Sequence, residues 1–101
     1  MLDKLTSADF SAHLHSSFRI HADAPGPLDA ELIEVAELGT PSSDQEDAPR
    51  RAFSIILRGP PDIVLPQRIY PVEHPELGTL DLFLVPVGPD RVGMRYEAIF
   101  S

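Results

Sequence analysis

The 101-residue chain is long enough for one domain with one core, and its apolar share of 43% and charged share of 24% are ordinary for a globular protein. Sixteen acidic residues against eight basic ones give a net charge of −8, which disfavours nucleic acid and anionic membrane surfaces as partners. The absence of cysteine excludes disulfides, thiolate metal sites and thiol nucleophiles. We expect a single cytoplasmic domain over residues 1–101, since no signal peptide is visible.

The first predicted element is a short helix over residues 7–14. Thr6 is a good N-cap, and Asp9 three residues later completes an imperfect capping box. Phe10 and Leu14 lie four residues apart and therefore share one face of this helix. The alternation that follows in "FRIHA" predicts a short, half-buried strand over residues 18–22.

Residues 28–38 are compatible with a helix or a strand. The Ala, Leu and Glu content, the preceding Pro27 and the following Gly39 favour a helix. The alternation of apolar and acidic residues favours a strand, and its parity slips at Leu32–Ile33 as it does at a β-bulge. We predict a strand, because the rest of the chain is built of strands.

Four further strands are predicted in the second half of the chain. Residues 40–50 are polar and without a period, which predicts a mobile, exposed loop. Apolar residues then alternate in segments 51–59, 68–74, 79–87 and 94–100. Pro71 cannot donate to a strand ladder, so we expect it at an edge or a bulge. Gly78 and Gly93 are expected to close their turns with positive φ.

The elements together predict a mainly β fold. Short connections favour antiparallel neighbours. We predict a small antiparallel barrel or sandwich of about six strands, with one short N-terminal helix capping one end. Residues 60–67 hold three prolines and cannot be regular. Their apolar residues should cover one end of the core or, where exposed, contact a partner; they are Ile63, Val64 and Leu65.

No motif for catalysis or phosphate binding is present in the sequence. The nucleophile elbow G-x-S-x-G and the glycine-rich phosphate loops are absent. His13 and His15 are two residues apart and do not share a helical face, so they do not form a metal pair. His74, before a proline, is expected to support its turn. We therefore expect no catalytic residue, cofactor or metal, and a protein that is not an enzyme; an enzyme would have only His21 or His74 with a carboxylate to offer.

Two kinds of binding surface remain open. An acidic row could meet a basic partner or a hard cation, or could be the solvated face of a strand; it comprises Asp29, Glu31, Glu34 and Glu37. A strand edge, best at residues 68–74, could pair with a partner or a second copy. These surfaces favour a protein-interaction or assembly module. The alternative is a small-molecule-binding barrel with a mouth lined by Tyr70 and Tyr96.

Several short motifs of the sequence resemble those of a known protein family. The segments "RGPPD", "LPQ", "HPELG", "LFLVPVG" and "GMRYEA", with "LTSADF" near the N-terminus, resemble an uncharacterised bacterial family of small β-rich proteins classed as a domain of unknown function. The resemblance covers essentially the whole chain and implies a small β-rich domain. It implies no catalytic residues, and it suggests an accessory of a phage-tail-like or fibre assembly.

Overall fold

The computed structural model describes residues 6–23, 26–37 and 52–100, and this part of the chain forms one short helix and six strands. The six strands close into an antiparallel barrel in the order β1-β2-β3-β6-β5-β4. The prediction of a mainly β fold is confirmed, and the barrel is the correct alternative. The elements are α1 (Ser7–Ser11), β1 (Ser17–Ile20), β2 (Leu28–Glu37), β3 (Phe53–Gly59), β4 (Arg68–His74), β5 (Gly78–Pro89) and β6 (Met94–Phe100).

The barrel consists of two three-stranded meanders, β1-β2-β3 and β4-β5-β6, that meet along two seams. The β3–β6 seam contains seven residue pairs, from Phe53↔Phe100 to Gly59↔Met94. The β1–β4 seam contains only two, Arg19↔Glu73 and Ile20↔Val72. Strand β1 is too short to cover the whole of β4, so the barrel is closed most weakly at this seam.

The helix end of the barrel is closed by Phe10, whose side chain is fully buried. Its ring centroid lies 6.4 Å from that of Phe18, 5.7 Å from that of Phe53 and 5.1 Å from that of Phe100. Rings at these separations stabilise each other beyond the area they bury. The expected cap over one end of the core is therefore α1, whose own N-terminus is capped by the Asp9 carboxylate, which accepts the Thr6 N–H at 2.8 Å.

The helix ends at Ser11 and is therefore shorter than the predicted range 7–14. His15 adopts a left-handed φ of 71°, and its N–H donates to the Leu32 carbonyl at 2.7 Å. This bond joins the chain to β2 before another helical turn can form. The prediction that Leu14 shares a helical face with Phe10 is therefore wrong. Leu14 is 41% exposed, whereas Phe10 is fully buried.

Residues Leu28–Glu37 form a strand, as predicted, and its register with β3 shifts between Leu32 and Glu34. The shift lies where the sequence parity slips, which is the signature of a bulge. Because of the shift, Leu32 and Val35, which are three residues apart, both face the inside of the barrel. Leu32 lies opposite Leu57, and Val35 lies opposite Ile55. Local helix propensity is overruled by pairing with both neighbouring strands.

Residues 60–67 cross from β3 to β4 over the second end of the barrel, which they were predicted to cover. Leu65 is 1% exposed, and its N–H donates to the Tyr96 hydroxyl at 2.9 Å. The same hydroxyl donates to the Ile63 carbonyl at 3.2 Å, and the Tyr70 hydroxyl donates to the Pro66 carbonyl at 2.6 Å. Two core tyrosines thus fasten the crossover between Ile63 and Pro66.

The turns follow the predictions with one exception. Gly78 has the expected positive φ of 83°. At the β5–β6 hairpin the residue with positive φ is Gly88, at 107°, and not Gly93. Gly93 is required for space, since a Cβ there would overlap the Gly59 carbonyl oxygen. The expectation that Pro71 lies at an edge or a bulge is wrong, because β4 pairs with β5 without a register shift and with β1 on its other side. The edge predicted at residues 68–74 is thus closed by β1, and the Pro71 carbonyl accepts the His21 N–H at 2.8 Å.

The predicted mobile loop over residues 40–50 lies outside the described residues. Within the ranges that the structure describes, no helix is long and apolar enough to cross a membrane.

Candidate functional site

Of the predicted acidic row, Asp29, Glu31 and Glu37 bind side chains of neighbouring elements, whereas Glu34 is exposed and takes part in no salt bridge among the described residues. The Asp29 carboxylate accepts a bond from Arg19 Nε at 3.4 Å, across the β1–β2 ladder. Glu37 lies opposite Phe53 at the end of the barrel, where it accepts the Ser7 hydroxyl of α1 at 2.7 Å. These two carboxylates link neighbouring elements, Asp29 joining β1 to β2 and Glu37 joining α1 to β2.

The third member, Glu31, belongs to a charged network centred on Arg58. The Arg58 guanidinium donates to Glu31 at 3.2 Å and to Asp90 at 3.0 Å. His15 Nδ1 lies 3.0 Å from the other Glu31 oxygen. The hydrogen bond with His15, followed by the charge and bonds of Arg58, lowers the pKa of Glu31. This network links β2, β3 and the β5–β6 hairpin.

The hairpin is held by Asp90, which also caps its own turn. Its Oδ1 accepts the N–H groups of Val92 at 2.8 Å and Gly93 at 2.9 Å. These bonds, with a further contribution from Arg58, lower the pKa of Asp90 to about 2. The hairpin loop is therefore a rigid structural turn, as its Pro-Asp-Gly composition predicts.

His74 is buried and supports the β4–β5 turn, as predicted. Its Nδ1 accepts the N–H groups of Glu76 at 3.0 Å and Leu77 at 3.4 Å. Its ring centroid lies 4.4 Å from that of His13 and 4.5 Å from that of Phe18. An Nδ1 that accepts hydrogen bonds requires the neutral ring with its proton on Nε2. Burial, together with the nearby His13, lowers the pKa of His74.

His21 lies beside a carboxylate, as do His15 next to Glu31 and His13 next to Glu76. Its Nε2 lies 2.9 Å from Glu73 Oε1, and both side chains are on the outer surface of the β1–β4 seam. An open pocket of about 350 Å³ lies next to the pair and is lined by Ser17, Phe18, Arg19, Asp29, Glu73 and Pro75. Both of its carboxylates are already engaged, Glu73 with His21 and Asp29 with Arg19.

No metal centre is found in the described ranges, where no three His, Asp or Glu side chains gather around one point. The predicted barrel mouth is filled: the rings of Tyr70 and Tyr96 are buried, at 3% and 1% exposure, and burial raises the pKa of Tyr70. Their hydroxyls hold the crossover instead of facing an open cavity.

The predicted contact of Ile63, Val64 and Leu65 is divided by the fold. Leu65 fills the end of the core and Ile63 packs partly against it, so they are not available as a surface. Val64 points outward and is 63% exposed. Alternate residues of this extended segment face opposite directions, which is why the three cannot act together.

A different apolar surface lies outside the barrel. Ile69 of β4 is directly opposite Phe83 of β5, and the two side chains are 64% and 49% exposed. On β6, Ile99 points the same way and is 62% exposed. Val85 lies two residues after Phe83 on β5, opposite Glu97, and is half-buried. We call these four residues the outer apolar face: Ile69, Phe83, Val85 and Ile99.

Sequence reasoning missed this face, although a signal was present. In each of the three strands an apolar residue occupies a position that alternates with the core residues. Outward positions of a one-layer sheet are normally polar. Three apolar exceptions in strands β4, β5 and β6 mark one continuous side of the barrel.

The chain was compared with curated proteins, with solved structures and with protein families. Neither the curated proteins nor the solved structures gave a match to the chain. The comparison with protein families gave a match over residues 5–100, nearly the whole chain, and confirms the resemblance to a domain of unknown function. The chain belongs to the family described as Domain of unknown function (DUF6916).

Proposed function

We propose that the protein is a non-enzymatic interaction module, which binds a partner protein through the outer apolar face. The observation that supports this proposal is the cross-strand pair Ile69–Phe83, exposed on a barrel whose core is filled by its own side chains. A contiguous exposed apolar patch on a small protein marks an interaction surface more often than isolated apolar residues do.

The size of the side chains also supports a protein partner. Full burial of an exposed phenylalanine or isoleucine gives roughly 1.5–3 kcal/mol, and side chains that are 49–64% exposed can gain a large part of it. Three anchors of this kind, Ile69, Phe83 and Ile99, lie on neighbouring strands of a rigid barrel. A preformed surface pays little ordering entropy on binding. Assignment to a phage-tail-like or fibre assembly stays a prediction from the resemblance.

The proposal is tested by affinity capture from the organism that makes the protein, with matched variants. The face variant is Ile69→Thr with Phe83→Thr, since threonine keeps the strand propensity. The control is Val92→Thr, because Val92 is equally exposed, at 62%, but lies in the β5–β6 hairpin away from the face.

We expect one partner to be captured by the wild type and by the control and to be lost with the face variant. The unfolding free energy of each variant is measured in parallel, so that loss of capture is assigned to the face and not to unfolding. Capture of the same proteins by all three baits would refute the proposal.

A further inference from the structure

Carboxylates border the outer apolar face. Asp81 lies two residues before Phe83 on the same side of β5. Glu97 lies directly opposite Val85, and Glu34 follows on the far side of β3 in the same row across the sheet. Among the described residues, Asp81, Glu97 and Glu34 take part in no salt bridge.

The nearby arginines Arg58 and Arg95 form no salt bridge with these carboxylates, because each is bound to another group. Arg58 is bound to Glu31 and Asp90. Arg95, on the same side of β6 as Glu97, keeps its charge, but its Nε donates to the Gly88 carbonyl at 3.1 Å and it forms no salt bridge with Glu97. The three carboxylates outnumber the one nearby arginine without a salt bridge in the described part of the chain, Arg95, so the border of the face carries a net negative charge.

These charges select between the possible occupants. A second copy would bring the same net charge of −8 and the same acidic border, so electrostatic repulsion opposes self-association through this face. Nucleic acid is repelled for the same reason. A segment that combines apolar residues with lysine or arginine matches both the apolar centre and the acidic border.

From this complementarity we infer that the outer apolar face binds a segment of another protein in which apolar side chains are flanked by lysine or arginine. The inference rests on the proposed function and names the chemistry of its partner. The apolar side chains cover Ile69, Phe83 and Ile99. The basic side chains pair with Asp81 and Glu97, which accelerates association and makes the affinity fall with salt.

Two short synthetic peptides are the probes for this inference. They share one alternating core of phenylalanine, valine and threonine, and they carry either lysines or glutamates at both flanks. Binding to the isotope-labelled full chain is followed by the shifts of its backbone amide signals. The charge variants are Asp81→Asn and Glu97→Gln, and the control is Asp62→Asn, which removes an exposed carboxylate from the crossover.

The lysine peptide is expected to shift the amides of the face and to bind at least roughly fivefold more tightly than the glutamate peptide at low salt. Each charge variant should weaken the lysine peptide by roughly twofold to fivefold, while Asp62→Asn leaves its affinity unchanged. Equal affinity of the two peptides, an equal loss in the control, or no binding of either peptide overturns the inference.

The test also separates the two levels of the argument. A concentration-dependent dimer that protects the face from solvent identifies a second copy as the occupant and overturns the inference. If neither peptide binds but capture still depends on Phe83, the partner's charge is wrong and the proposed function stands. If capture is independent of Ile69 and Phe83, the proposed function itself fails, and the inference fails with it.

Discussion

Removal of the Tyr96 hydroxyl should destabilise the protein more than removal of the Tyr70 hydroxyl, although both groups fasten the same crossover. The Tyr96 hydroxyl accepts the N–H of Leu65 and donates to the carbonyl of Ile63. The Tyr70 hydroxyl makes one bond, to the carbonyl of Pro66. Replacement of each tyrosine by phenylalanine keeps the ring and therefore isolates the hydroxyl.

The two costs follow from what each substitution leaves behind. In Tyr96→Phe the Leu65 N–H stays buried without an acceptor, and an unsatisfied buried donor costs about 1–3 kcal/mol. In Tyr70→Phe a partly buried carbonyl loses its donor, and a typical intramolecular hydrogen bond contributes about 0.5–1.5 kcal/mol. We expect about 2 kcal/mol for Tyr96→Phe and about 1 kcal/mol for Tyr70→Phe.

Urea denaturation of the wild type and the two variants measures the difference, and thermal melts should show a larger fall in Tm for Tyr96→Phe. Hydrogen exchange at the Leu65 amide provides a local measurement, because its protection should fall in Tyr96→Phe and persist in Tyr70→Phe. The reasoning is refuted if Tyr96→Phe lies within about 0.5 kcal/mol of the wild type, or if Tyr70→Phe is the more damaging change.

Three further predictions concern the ends and turns of the barrel. Burial holds the native pKa of His74 below its ordinary 6.5, so its contribution to stability is complete above pH 6.5 and is lost as the pH falls through the lowered native value. His74→Asn keeps an acceptor for the Glu76 N–H and should flatten this part of a stability-against-pH curve; an unchanged curve would exclude His74 as its source. Asp90, with its pKa lowered from 3.8 to about 2, contributes stability above pH 3.8 that is lost as the pH falls through about 2, and Asp90→Asn should remove this acid dependence in the same assay while the turn bonds to Val92 and Gly93 persist. Gly93→Ala should cost about 3 kcal/mol, because its Cβ would overlap the Gly59 carbonyl oxygen, whereas Gly88→Ala has open space and should cost only the left-handed strain of about 1–2 kcal/mol. Similar melting curves for the two alanine variants would contradict the steric argument at Gly93.

The sequence predicted the strands better than it predicted their ends. Alternation located β2 and its bulge at Leu32, even though the local composition favours a helix, because a parity slip is visible in the sequence itself. The end of α1 was not visible. It depends on the bond from His15 to Leu32, and a contact between two elements leaves no periodic signal in either one.

The choice between the barrel and the sandwich could not be made from the sequence for a related reason. Closure depends on the pairing of Arg19 with Glu73, which are far apart in the chain and lie on the shortest seam. The binding surface was similarly hidden. Alternation indicates that Phe83 and Leu82 face opposite sides, but it does not tell which side another layer covers. In the structure Leu82 lies in the core and Phe83 is exposed.

The two-meander topology makes the crossover a natural place to divide the protein. Each meander pairs only strands that are adjacent in sequence, and residues 60–67 are the single covalent link between them. Two fragments cut within this link would still share the seven pairs of the β3–β6 seam and the short β1–β4 closure. Reassembly would also return Leu65 to its place beneath Tyr96. The fold therefore offers a split-protein design in which the recovered barrel reports that the two halves have met.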